Sequence, residues 1–181
     1  MAGAIPHYKV GPSNYQVNSL IYGGQWVMPH SITPGTTDLT VTLAVATAAQ
    51  TIGYALGVAG NDAAPIAVQT GAANAYGQPL IDISVLTDYV SVYYGGVDIF
   101  CWYSAACYVG QPVMVTNVAA NAGTVIPWAG QGASFGQYAG DASAIVGRCT
   151  HPGGVSAAML TQQIGGQGSA TYFFGRCRVS I

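Results

Sequence analysis

Apolar and polar residues alternate with period two along much of the chain. Leu39, Val41, Leu43 and Val45 are separated by Thr40, Thr42 and Ala44, which predicts a strand with one buried face. Ile81, Ile83 and Val85 alternate in the same way with Asp82 and Ser84. The stretch "YVSVYYGGVDIFCWY" predicts two strands joined in a tight hairpin at Gly95-Gly96, where glycines supply the positive φ that such turns need. Cys101 falls on the same face of its strand as Val97 and Ile99. Further short runs, "PVMVT", "TVIPW", "SAIVGRC" and "TYFFGRCRVSI", are separated by glycine-rich joints, and only "VSAAMLTQQI" predicts a short helix. Before Asp38 proline and glycine are scattered among isolated apolar residues without a sustained period. The pattern therefore predicts an extended N-terminal arm over 1–37 and a single β domain over 38–181. The fold class expected is all-β, an antiparallel β-sandwich or small β-barrel with little helix. Gly-Gln-Pro precedes a strand at both Gly77 and Gly110, a short echo of a duplicated β unit.

Composition sharpens this picture. The 181 residues suit one ordinary domain, with half of them apolar. Only Lys9, Arg148, Arg176 and Arg178 are basic, six residues are aspartate, and glutamate is absent. Solvated helices are normally coated with Glu and Lys, so their lack argues against a helical protein. A net charge of −2 gives weak mutual repulsion, and much of the surface is expected to be buried in an assembly. Four basic residues cannot build a phosphate-neutralising track, which argues against nucleic-acid binding. The uncharged run 39–61 is interrupted by threonine, glutamine and glycine, and no membrane span is expected. The first residues lack a basic start followed by an apolar stretch, so no export signal is read and reduced, buried thiols are expected.

Candidate chemistry is sparse. Cys101, Cys107, Cys149 and Cys177 contain no CxxC spacing, so no metal site is expected, and buried structural cysteines are the favoured reading. Cys149 and His151 could serve as nucleophile and base only if both pointed to one side, and the following Pro-Gly-Gly predicts that the strand is ending there. There is no GxSxG elbow and no phosphate-binding glycine loop, and the six aspartates sit at strand edges and turns. No enzymatic activity and no cofactor are expected. On the last run Arg176 and Arg178 share a face with Tyr172 and Phe174, while Phe173, Cys177, Val179 and Ile181 share the other. Two arginines with two aromatics suit a protein–protein contact. In the arm, Tyr8, Tyr15, Tyr22 and Trp26 are the matching interface candidates.

The order "YALGVAGNDAAP", "YGQPLIDISVL", "YYGGVDIFCWYSAACYVGQPVMV" and "DASAIVGRCTHPGGV", followed by a closing strand, resembles the capsid decoration (head cement) proteins of tailed bacteriophages, actinobacterial-phage type. The motifs that carry the resemblance are a Gly-Val-Ala-x-x-Asp-Ala-Ala-Pro loop, the Gly-Gly-Val-Asp hairpin and an Ile-Val-Gly-Arg-Cys-Thr-x-Pro-x-Gly-Val turn, and they span Tyr54 to Val155. The resemblance implies a non-enzymatic virion protein on the outer surface of the capsid, clamping adjacent major capsid protein subunits as a homotrimer. It also implies that "GRCTHPGG" is a strand end and turn. The alternative reading is a carbohydrate- or receptor-binding β module on the virion surface, with exposed Tyr or Trp stacking on sugars.

Overall fold

The computed structural model describes residues 12–18, 21–31, 40–46, 55–60, 68–73, 79–82, 89–128, 145–156, 161–162 and 172–181. They form an all-β protein built on two small barrels, and among them the only helical piece is one 3-10 turn at Ala119–Asn121. The first barrel closes through β1 (Ser13–Val17), β3 (Thr40–Leu43), β2 (Trp26–Pro29), β4 (Gly57–Ala59) and β7 (Tyr89–Tyr93), in that order around the ring. The second closes through β11 (Ile145–Cys149), β9 (Pro112–Val115), β10 (Val125–Pro127), β8 (Asp98–Tyr103) and β13 (Tyr172–Val179), with β11 pairing back onto β13. Pairing is antiparallel except between β1 and β3 and between β8 and β10. β5 (Val68–Ala73) and β6 (Pro79–Asp82) form a separate antiparallel pair, and β12 (Thr161–Gln162) adds to the edge of β13. No helix among the described residues is long and apolar enough to cross a membrane.

Three expectations are corrected. The N-terminal part is not an arm over 12–31. β1 pairs with β3 and β7, and β2 pairs with β3 and β4, so both are integral to the first barrel. The short run "WVMP" gave no alternation because β2 is buried on both faces, as continuous apolar runs often are. Val27 faces the first barrel's core with Val41, Val90 and Val92, while Trp26 and Met28 join the cluster that fills the second barrel. Trp26 is fully buried, and its backbone N–H donates to Gly123 O at 2.8 Å, tying one barrel to the other.

The second correction concerns the hairpin. β7 and β8 belong to different barrels, so Gly95 and Gly96 form the crossover between them. Their φ values of +67° and +74° are those expected of a tight turn, but their N–H groups donate to Ile181 O and Val179 O at the end of β13. Local sequence specified the turn, and the tertiary partner decided where its donors went. The third correction concerns the described part of the proposed helix over 155–164, of which 157–160 and 163–164 lie outside the described residues. Val155 makes a β-bridge with Cys107, and Thr161–Gln162 is a strand paired with Tyr172 and Phe173.

The second barrel's interior holds Tyr103, Val113, Val115, Val125, Val146, Val155 and Val179 together with all four cysteines. Trp26, Met28, Ala44 and Val58 continue this cluster from the first barrel. This cluster therefore spans both barrels and backs β8, β11 and β13, while the first barrel keeps a second cluster of its own.

Candidate functional site

The period-two geometry of β13 sends Cys177 and Val179 inward and Arg176 and Arg178 to the outer face. On one side β13 pairs with β8, setting Arg178 opposite Asp98, Arg176 opposite Phe100 and Phe174 opposite Trp102. On the other side β11 sets Arg148 opposite Arg178 and Cys149 opposite Cys177. Three of the chain's four basic residues therefore lie on one sheet face.

Asp98 is the hub of the charged part. It accepts from Arg176 Nη2 at 3.2 Å, pairs with Arg178 Nη2 at 3.8 Å, and accepts from the Thr150 hydroxyl. The arginine side chains are 43% and 61% exposed, so these pairs contribute little to stability and leave the guanidinium groups open to a partner. Arg148 is exposed and donates through Nη1 to Gly110 O at 3.2 Å. No carboxylate among the described residues pairs with it.

Beside the charges lies an aromatic stack. Phe174 stacks on Phe100, with centroids 5.5 Å apart and 22° between planes, and meets Trp102 at 4.5 Å. Phe100 remains 43% exposed and touches the His151 ring edge-on. Trp102 is fixed by its Nε1–H, which donates to Gly23 O at 2.9 Å. Glycine is strongly favoured at position 24. Its φ is +83°, and a Cβ would lie 2.6 Å from Phe174 Cε2. Beyond Arg148, the turn after Cys107 presents Tyr108 and Val109, 82% and 61% exposed.

The structure divides the sequence candidates. Arg176, Arg178 and Phe174 stand together on the outer face as expected. Tyr172 shares that side of β13 but is buried, its hydroxyl within hydrogen-bonding distance of Ala120 O and Asn121 Oδ1, and Tyr22 packs with it against Trp102. Trp26 is a core residue, and Tyr15 packs against the first barrel's core. Tyr8 lies outside the described residues. Sequence reasoning missed Asp98, Phe100, Arg148, Tyr108 and Val109. The tripeptide Gly-Arg-Cys occurs at 147–149 and again at 175–177, but the two copies meet only at Cys149 and Cys177, in a register that sets Arg148 opposite Arg178 and that neither strand's sequence specifies.

Cys149 and His151 are not brought together as nucleophile and base. The Cys149 side chain is fully buried in the second barrel, whereas the His151 ring packs on Phe100 and its Nδ1 accepts from Arg176 N at 3.4 Å. Cys101, Cys149 and Cys177 neighbour the Tyr103 hydroxyl, which donates to Arg176 O at 3.0 Å. Burial, with Cys177 adjacent, holds the Cys101 thiol well above its usual value, and burial likewise pushes Tyr103 up. The hydrogen bond between Cys107 and Cys149 draws Cys149 down and sends Cys107 up. No group of three or more His, Cys, Asp or Glu among the described residues is arranged to hold a metal ion.

Among the described residues the arrangement presents a cationic and aromatic sheet face, built from Arg148, Arg176, Arg178, Phe100 and Phe174. No family model, characterised protein or solved structure matches the chain.

Proposed function

We propose that this chain is a structural virion protein that binds the outer surface of a tailed-phage capsid through the outer face of β8, β13 and β11 and stabilises it by clamping adjacent major capsid protein subunits. The observation that carries the reading is the concentration of Arg148, Arg176, Arg178 and the Phe100–Phe174 stack on one sheet face. Arginine and aromatic side chains are the residue types enriched where interfaces gain most of their energy. The resemblance in sequence adds support, because its Gly-Arg-Cys-Thr motif supplies Arg148 and Thr150 to that face. A chain with few charges and many Tyr, Thr and Ala residues is tolerable on the same reading, because docking covers surface that would otherwise invite self-association. Action as a homotrimer would multiply weak contacts across a symmetric shell.

Mature undecorated heads and immature heads, each mixed with the purified protein and sedimented, test the reading. Saturable co-pelleting with mature heads is expected, and absence of binding to both would overturn it. The second reading, a sugar- or receptor-binding module, is favoured by one observation: Tyr108 is 82% exposed beside the stack-bearing face. A glycan array on which the protein finds no ligand would remove it.

A further inference from the structure

Arg148 and Arg178 are register partners across β11 and β13. Thr150 N donates to Arg176 O at 3.0 Å and Ser180 N to Val146 O at 2.8 Å, so by alternation 148 and 178 occupy a hydrogen-bonding position of the ladder between them. Like charges directly opposite each other on one face of a sheet are destabilising. Among the described residues the one nearby carboxylate does not resolve the conflict. Asp98 receives Arg176 at 3.2 Å and the Thr150 hydroxyl, approaches Arg178 only to 3.8 Å, and makes no pair with Arg148. Among the described residues three guanidinium groups thus share this face with one carboxylate, a local positive excess in a chain whose net charge is −2.

We infer that Arg148 and Arg178 form a receptor site for a carboxylate of the docked protein, an aspartate or glutamate side chain on the shell subunit. The inference rests on the docking reading and names the chemistry of the surface it meets. Two guanidinium groups from neighbouring strands can each donate to one carboxylate, and charge-assisted bonds of this kind are stronger than neutral ones. The partner's acid would remove the repulsion that the free protein carries, so the site is electrostatically incomplete until docking. A protein carboxylate fits better than a nucleic-acid phosphate. The site is flanked by the exposed Phe100 on one side and by Tyr108 and Val109 on the other, and a phosphate backbone would need a longer basic track.

The test is a binding titration against mature undecorated heads in low and high salt, with Arg148→Gln, Arg178→Gln and the double variant, and with poly-L-glutamate as competitor. The double variant is expected to bind about tenfold or more weakly, to lose most of its salt dependence and to escape competition by poly-L-glutamate. Its thermal stability should equal or exceed that of the parent chain, which separates lost docking from lost folding. Parent-like affinity and salt dependence in the double variant would overturn the carboxylate site while leaving the docking reading intact. Stronger competition by single-stranded DNA than by poly-L-glutamate at equal charge would also overturn the assignment. Failure of the parent chain itself to bind heads would remove the docking reading and this inference together.

Discussion

Cys149 lies directly opposite Cys177 across β11 and β13, both fully buried, so the two Gly-Arg-Cys tripeptides meet antiparallel at their cysteines alone. The same register that turns these thiols inward turns Arg148 and Arg178 outward. Core and proposed docking face are therefore two sides of one strand pairing, and a one-residue slip would exchange them.

The four thiols should be silent in the native protein. Cys101, Cys149 and Cys177 are fully buried and Cys107 is 3% exposed, so access governs their reactivity. With an aromatic disulfide reagent at neutral pH, no thiol is expected to react until denaturant is added, after which all four should. One thiol reacting at once in the folded protein would contradict this and reopen Cys149 as a nucleophile.

Alkaline pH should destabilise the fold. Cys101, Cys107 and Tyr103 titrate higher in the folded chain than their ordinary values of 9.0 for the thiols and 10.0 for the phenol. Groups raised in this way stabilise fully below the unfolded value and lose that contribution as pH rises past it. Cys149 is shifted the other way, so its contribution is complete above pH 9.0 and adds no loss there. Unfolding free energies from denaturant titrations at pH 8 and above should fall once the thiol range is passed, by about 1.4 kcal/mol per pH unit for each raised group. A flat profile through pH 11 would contradict the buried cluster.

Removing the N-terminal strands should unfold the protein. Trp26→Ala is expected to cost about 3–5 kcal/mol, since its ring is fully buried where the two barrels meet. A chain lacking residues 1–29 loses β1 and β2 and should show no cooperative thermal transition. A truncated protein that melts cooperatively near the parent temperature would restore the arm.

Glycine substitutions should rank by what a Cβ meets. Gly24→Ala suffers both a φ of +83° and an approach of 2.6 Å to Phe174, whereas Gly95→Ala suffers only a φ of +67° with open space around it. The Gly95 variant is expected to lose about 1–2 kcal/mol and the Gly24 variant more. Equal losses in chemical denaturation would show that Phe174 yields freely.

Strands with one wet face were legible in the sequence, because alternation survives there: β3, β7 and the inward set of β13 follow it. β2 was not, because burial on both sides erases the period. The Gly95-Gly96 turn was legible and its pairing was not, since φ is a local property while the acceptors at Val179 and Ile181 lie more than eighty residues away. At the candidate site, period two on β13 found Arg176, Arg178 and Phe174 without help. Arg148, Asp98 and Phe100 needed the registers to β11 and β8, which no single strand encodes.

The docking face is the central claim, and side-chain oxidation footprinting of free and head-bound protein addresses it most directly. Phe100 and Tyr108 on the second barrel and Tyr89 on the first are 43%, 82% and 62% exposed in the free chain. The account predicts that binding to mature heads protects Phe100 and Tyr108 and leaves Tyr89 open to oxidation. Protection of Tyr89 with Phe100 and Tyr108 still reactive would contradict it and move the interface to the first barrel.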